Sequence, residues 1–189
     1  MAKKMGFVVN IDRCIGCHAC EVTCKSFYQL EPEVSRRRVR QLPETIAGVP
    51  TRAYLSMACN HCDMPACRDA CPVGAYTKRE DGIVIHNQDL CIGCQMCGKA
   101  CPYSVPQYDP VKKKMNKCSM CFERLDAGEL PICVQNCPLE AIQIVDLNEP
   151  QYQNLAKTVP GFPDPSITQP NIRFILPKAG KQVRSEANA

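Results

Sequence analysis

The chain has 189 residues, enough for one ordinary domain or two small ones. It has no Trp, five Phe and six Tyr, and its 45% hydrophobic content counts sixteen cysteines, so apolar packing alone leaves the core thin. The formal charge of +4 treats every cysteine as neutral, and apolar runs such as Gly6 to Val9 or Ile83 to Ile85 fall far short of the roughly 18 residues of a membrane span.

In chain order, the start MAKKMGFVVNIDRC has too short an apolar stretch for a secretory signal and no small-residue cleavage site, so a disulfide framework is not expected. GFVVNID predicts a strand leading into a first cysteine run, Cys14, Cys17, Cys20 and Cys24. SRRRVR, from Ser35, is a basic run of the kind that usually forms a solvated face. RAYLSMA predicts a second strand ahead of run two, Cys59, Cys62, Cys67 and Cys71. GAYTKREDGIVIHNQDL reads as strand, Asp81-Gly82 turn and strand, and delivers run three, Cys91, Cys94, Cys97 and Cys101. Lys112, Lys113, Lys114 and Lys117 form a second basic stretch before run four, Cys118, Cys121, Cys133 and Cys137, and AIQIVDL predicts a strand after it. Pro72, Pro102 and Pro138 follow the last cysteines of runs two to four and suit a short helix or turn, whereas run one has Lys25 there. Beyond Asn148 the proline-rich, polar stretch to Pro170 predicts an extended arm useful for wrapping a fixed partner, NIRFILP adds one strand, and residues 179–189 are expected to need a partner for order.

The four runs are variants of one pattern and use all sixteen cysteines. Runs one and three follow C-x2-C-x2-C-x3-C, run two lengthens the middle gap to four and run four to eleven. Three thiols in steps of three wrap one multi-cornered object, and the fourth, in the two-cluster ferredoxin pattern, ligates the neighbouring cluster. The nineteen residues between Cys71 and Cys91 leave room for one hairpin that brings runs two and three together. Four 4Fe–4S clusters are therefore expected: Cys14, Cys17, Cys20 and Cys137; Cys24, Cys118, Cys121 and Cys133; Cys59, Cys62, Cys67 and Cys101; and Cys71, Cys91, Cys94 and Cys97. The expected fold is α+β, two interleaved bacterial-ferredoxin-like modules holding two clusters each. Residues 1–30 with 110–147 make the outer module, 52–109 the inner one, and 148–189 the extended arm. Structural zinc or disulfides are the alternative use of the thiols.

Each cluster with its four thiolates carries a net 2− charge, so four of them shift the total by about −8 and remove any charge argument for nucleic-acid binding. Gly16 and Gly93 occupy the same place in two C-I-G-C segments, where a glycine lets backbone N–H groups approach a cluster. His18 and His61 sit inside complete cysteine runs and are expected beside the ligands or at the surface, and His86 at the surface. The basic runs have a second possible role, raising cluster potentials and docking a partner. There is no radical-enzyme triad, nucleotide fingerprint, Ser/His/Asp or HExxH arrangement, so no catalytic residue is expected, and saturated clusters leave no iron position open to a substrate.

The order of the runs, with GFVVNIDRCIGCHACEVTCK, CNHCDMPACRDACP, KREDGIVIHNQDLCIGC, CPYSVPQYDP and PICVQNCP, resembles the iron–sulfur subunits of the dimethyl sulfoxide reductase family of molybdopterin oxidoreductases. The resemblance covers about residues 5 to 145, with a weaker echo in QPNIRFILP. It implies a non-catalytic electron wire between a large molybdenum or tungsten molybdopterin subunit and an integral membrane anchor that reacts with quinone. The runs-one-and-four pair would face the catalytic subunit, and the pair of runs two and three the membrane. It also implies peripheral attachment to the cytoplasmic membrane through those partners, on a side left open because relatives can be exported folded with the catalytic subunit. Nitrate reductase relatives replace one run-three cysteine by Trp; this chain has a complete run. A soluble polyferredoxin serving a hydrogenase fits the cysteines as well, and a zinc scaffold stands as a non-redox alternative.

Overall fold

The computed structural model describes residues 3–43, 45–46, 49–50 and 52–177, so the expectation for residues 179–189 falls outside it. The first strand, β1 (Met5–Asn10), is buried through its middle because it is paired on both edges. Run one continues it into α1 (Ala19–Phe27), and β2 (Arg38–Gln41) follows. A small antiparallel pair, β3 (Thr45–Ile46) and β4 (Val49–Pro50), leads to β5 (Tyr54–Met57), which pairs antiparallel with β2.

Run two then enters α2 (Ala66–Asp69), followed by the hairpin β6 (Tyr76–Lys78) and β7 (Val84–His86). Its loop contains the expected Asp81-Gly82, with Gly82 at φ 87°. Run three enters α3 (Met96–Ala100), and a second hairpin follows, β8 (Gln107–Asp109) with β9 (Lys114–Asn116). Run four spans α4 (Phe122–Asp126) and α5 (Ile132–Gln135) and ends in β10 (Ile142–Asp146). A short α6 (Pro150–Gln153) and a 3-10 turn at Pro165–Ile167 precede β11 (Ile172–Ile175). The largest sheet has the order β10-β1-β11, antiparallel on the β10 side and parallel on the β11 side.

The thin apolar content is explained by what fills the interior. Phe7, Val9, Ile11, Leu55, Ile142, Ile172 and Phe174 pack in one cluster with Cys20, Cys59, Cys118 and Cys133, so thiols stand in for aliphatic side chains. The segments after the last cysteines of runs two to four are turns rather than helices.

Two expectations are corrected. The proline-rich segment is not an extended arm over its described length. Val159, Ile172 and Phe174 are buried, Phe162 stacks between Tyr103 and Phe174, and backbone bonds from Asp63 and Met64 to Gln169 and Thr168 lay the segment over run two. Its apolar residues, spaced among prolines, find a surface on this same polypeptide, so it supplies no argument for wrapping a partner. SRRRVR is a solvated face only in part, with Arg38 and Arg40 exposed. Arg36 stacks on Tyr28 with its Cζ 4.0 Å from the ring centroid, Arg37 is buried, and Arg38 and Arg40 lie on the β2 edge.

Candidate metal centre

Each cysteine run begins with the same backbone device. The residue two after the first cysteine has left-handed φ: Gly16 73°, His61 44°, Gly93 70° and Met120 61°. The turn aims that residue's N–H back at the first thiol, His61 to Cys59 at 3.5 Å, Gly93 to Cys91 at 3.4 Å and Met120 to Cys118 at 3.3 Å, with Gly16 doing the same for Cys14. Glycine is required at position 93 for a second reason, since a Cβ there would lie 2.3 Å from the Lys113 carbonyl oxygen.

The third cysteine of every run sits on a short helix: Cys20 on α1, Cys67 on α2, Cys97 on α3 and Cys133 on α5. Cys24 lies one turn further along α1, on the same face as Cys20. Cys71, Cys101 and Cys137 follow their helices directly, and the N–H groups of Ala75 and Ala141 donate to Cys71 and Cys137 at 3.3 and 3.2 Å. Helix α1 packs on α5, and α2 on α3, which brings run one to run four and run two to run three.

Cys14, Cys17, Cys20 and Cys137 line one cavity, and Cys59, Cys62, Cys67 and Cys101 line another. Cys24 has Cys118, Cys121 and Cys133 as its electrostatic neighbours, and Cys97 has Cys91 and Cys71. Cys94, the remaining thiol of run three, is exposed, as is Cys17. None of the sixteen cysteines is in a disulfide. Neighbouring groups lie within electrostatic reach of one another in succession: Cys133 of Cys20, Cys59 of Cys118, and the Tyr76 hydroxyl of both Cys97 and Cys67.

Two of the four thiol groups ring cavities, and among the described residues no three His, Cys, Asp or Glu side chains meet at a point suited to one ion. A structural zinc site needs four donors converging at about 2.3 Å for sulfur. A polynuclear cluster bonded at its corners needs the spread arrangement that the cavities offer, and an all-thiol donor set matches iron–sulfur chemistry. Burial, with the neighbouring thiols adding to it, pushes Cys24, Cys62 and Cys67 up to about 12, so these groups become thiolates only with a compensating cation.

One hydroxyl side chain attends each group. Ser56 Oγ lies 3.3 Å from Cys20 Sγ, Tyr28 bonds Cys121, and Thr168 bonds Cys62. The Tyr76 hydroxyl is buried with no nitrogen or oxygen partner and has Cys97 beside it. Sequence reasoning missed all four, because each comes from a segment remote from the run it serves or carries no pattern of its own.

Of the histidines, His18 is exposed and pairs with Glu21 at 2.9 Å. His61 is fully buried, and its Nδ1 accepts the Val84 N–H at 3.0 Å. His86 is not the surface side chain expected: its ring stacks on Tyr76 at 4.6 Å, and burial, aided by Lys117, Arg36 and Lys114, lowers it to about 4. The second basic stretch divides, with Lys112 and Lys113 exposed and Lys117 buried, its ammonium donating to the Val84 and Cys118 carbonyls at 2.5 and 3.0 Å.

Comparison with known proteins agrees with this chemistry. A family described as a 4Fe-4S dicluster domain matches residues 50–147, and one described as a 4Fe-4S binding domain matches residues 11–29. The sequence is 43% identical to the probable anaerobic dimethyl sulfoxide reductase subunit YnfG of Escherichia coli K12, over 96% of its own length and 93% of that protein. It is 42% identical, over the same shares, to the B subunit of anaerobic dimethyl sulfoxide reductase of the same organism. Identity to the B subunit of polysulfide reductase of Wolinella succinogenes is 39%, over 80% of the present sequence and 81% of that one.

Proposed function

This protein belongs to the iron–sulfur electron-transfer subunits of the dimethyl sulfoxide reductase family, and from that membership we propose that it holds four 4Fe–4S clusters as a wire between two partner subunits. The ligand sets are Cys14, Cys17, Cys20 and Cys137; Cys24, Cys118, Cys121 and Cys133; Cys59, Cys62, Cys67 and Cys101; and Cys71, Cys91, Cys94 and Cys97. One partner is a large molybdopterin subunit that carries the substrate chemistry, and the other an integral membrane anchor that reacts with quinone. Among the described residues no helix is long and apolar enough to cross a membrane.

The observation that carries this reading is the succession of four thiol groups with exposed cysteines only at its ends. Cys17 belongs to the first group and Cys94 to the last, while the cysteines of the two middle groups are buried apart from the half-buried Cys101. Bound clusters supply one-electron acceptor sites. The protein's own residues keep those sites in register: the helices fix the third thiols, the left-handed turns aim N–H groups at the first, and the core around Phe7, Leu55 and Phe174 keeps water from the middle of the file. The exposed thiols are flanked by exposed apolar residues, Ile15 and Val22 at one end and Leu90, Ile92 and Met96 at the other, which suits coverage by partners.

Anaerobic purification from the native host tests the proposal directly. The expected result is four irons and four acid-labile sulfides for each of four clusters, with a molybdopterin subunit and a membrane subunit identified by mass spectrometry in the same complex. A preparation with full iron but a hydrogenase as companion would favour the polyferredoxin reading.

A further inference from the structure

Among the described residues, two buried cations have no carboxylate partner. Arg37 is 2% exposed. Its Nη1 donates to the Ser56 hydroxyl at 3.1 Å, the same hydroxyl that contacts Cys20, and its Nη2 is buried without any acceptor. The guanidinium lies over the Phe7 ring, 4.7 Å from its centroid, on the inner side of the cluster of side chains that contains Cys20, Cys118 and Cys133. Lys117 is 3% exposed; its ammonium donates to the carbonyls of Val84 and Cys118 and lies 6.0 Å from the centroid of the Tyr76 ring. It lines the cavity that Cys59, Cys62, Cys67 and Cys101 surround.

A buried charge without a counter-charge is strongly disfavoured, and proteins keep one only where an anion is close. Here the nearby ionisable groups are cysteines. Arg37 shares the Ser56 hydroxyl with Cys20, and through Phe7 it packs against the side-chain cluster that also holds Cys118 and Cys133. Cys59 and Cys67 have Lys117 as a charge neighbour. Arg37 thus stands where the first thiol group meets the second, and Lys117 where the second meets the third.

We propose that Arg37 and Lys117 are built-in counter-charges at these two junctions, each raising the reduction potentials of the clusters it faces. The inference rests on the four-cluster reading. A positive charge fixed near a cluster favours the added electron, and burial leaves the interaction little screened by water or salt. The two cations are positioning charges: neither is a ligand, and neither takes or gives an electron.

The test is redox titration of the complete, anaerobically prepared complex, followed by EPR, in Arg37→Met, Lys117→Met and the charge-retaining Arg37→Lys. In Arg37→Met the expected result is a shift of two potentials to more negative values at unchanged iron and sulfide content. In Lys117→Met the largest negative shift falls on a different potential, and Arg37→Lys stays closer to wild type than Arg37→Met. Loaded Met variants with unmoved potentials, or a uniform drift of all four, would overturn the role of the cations while leaving the clusters in place. Should Arg37→Met fail to load iron, Lys117→Met reads the same effect at the other junction. A wild-type protein without iron and sulfide would instead overturn the cluster reading itself.

Discussion

A methyl group at position 93 would stand 2.3 Å from a main-chain oxygen of Lys113, while one at position 16 would meet the ring of Tyr54 at 2.6 Å. Both glycines have left-handed φ, which costs an ordinary residue about 1–2 kcal/mol. The ring can swing away and the backbone cannot. Gly93→Ala is therefore expected to lower the melting temperature and the iron content of the loaded protein more than Gly16→Ala, measured by calorimetry and iron assay. His86 carries a second prediction. Its folded-state value of about 4 lies below its ordinary 6.5, so a proton is bound more readily in the unfolded state. Its contribution is complete above 6.5 and is lost as pH falls toward 4. His86→Phe, which keeps a ring on Tyr76, should flatten the fall in melting temperature between about pH 6.5 and 5 relative to wild type. At this scale the thiols were legible because metal-ligating spacing is a local pattern. Arg37 and Ser56 were not, since burial of a cation beside a remote cysteine leaves no mark in either neighbouring segment.

Alternation of apolar residues located β1, β5 and β10, and the Asp81-Gly82 pair located the hairpin of β6 and β7. Strand β2 was hidden in a basic run, where Arg38 and Arg40 are exposed and only Val39 is apolar, and the β8 and β9 hairpin was hidden by its polar composition. The last segment was misread because prolines suggest extension, while the contacts that hold it come from run two and from β1. Thr168, buried in that segment, faces Cys62 and shares a 2.9 Å hydrogen bond with Tyr103, so the segment reaches a ligand as well as the core. Phe174 is 1% exposed and packs on Phe162. Phe174→Ala should cost about 3–5 kcal/mol, seen as a lower denaturation midpoint of the loaded protein.

Across the whole molecule, thiols occupy places that a conventional core gives to aliphatic side chains, and metal ligation is coupled to folding. Iron removal by chelation is expected to abolish most far-ultraviolet circular dichroism and not merely the visible absorption; an unchanged spectrum would show a core that stands without metal. The two apolar ends make a paired prediction. On the proposed arrangement, with the end of Cys17 toward the catalytic subunit and that of Cys94 toward the anchor, Ile15→Asp should release the former and spare the latter, and Ile92→Asp should do the reverse, as read by co-purification; Ile15 and Ile92 are 61% and 62% exposed, so neither change disturbs the interior. Strand β1 adds a temporal consequence. It precedes both of its edge partners, Ile142–Asp146 and Ile172–Ile175, by more than 130 residues. On the ribosome this strand waits with both edges bare until those distant segments emerge, whereas the hairpin of β6 and β7 finds its mate within a few residues. The nascent protein therefore closes from its middle outward, and an arrested product lacking β11 leaves a sticky ribbon for chaperones to shield.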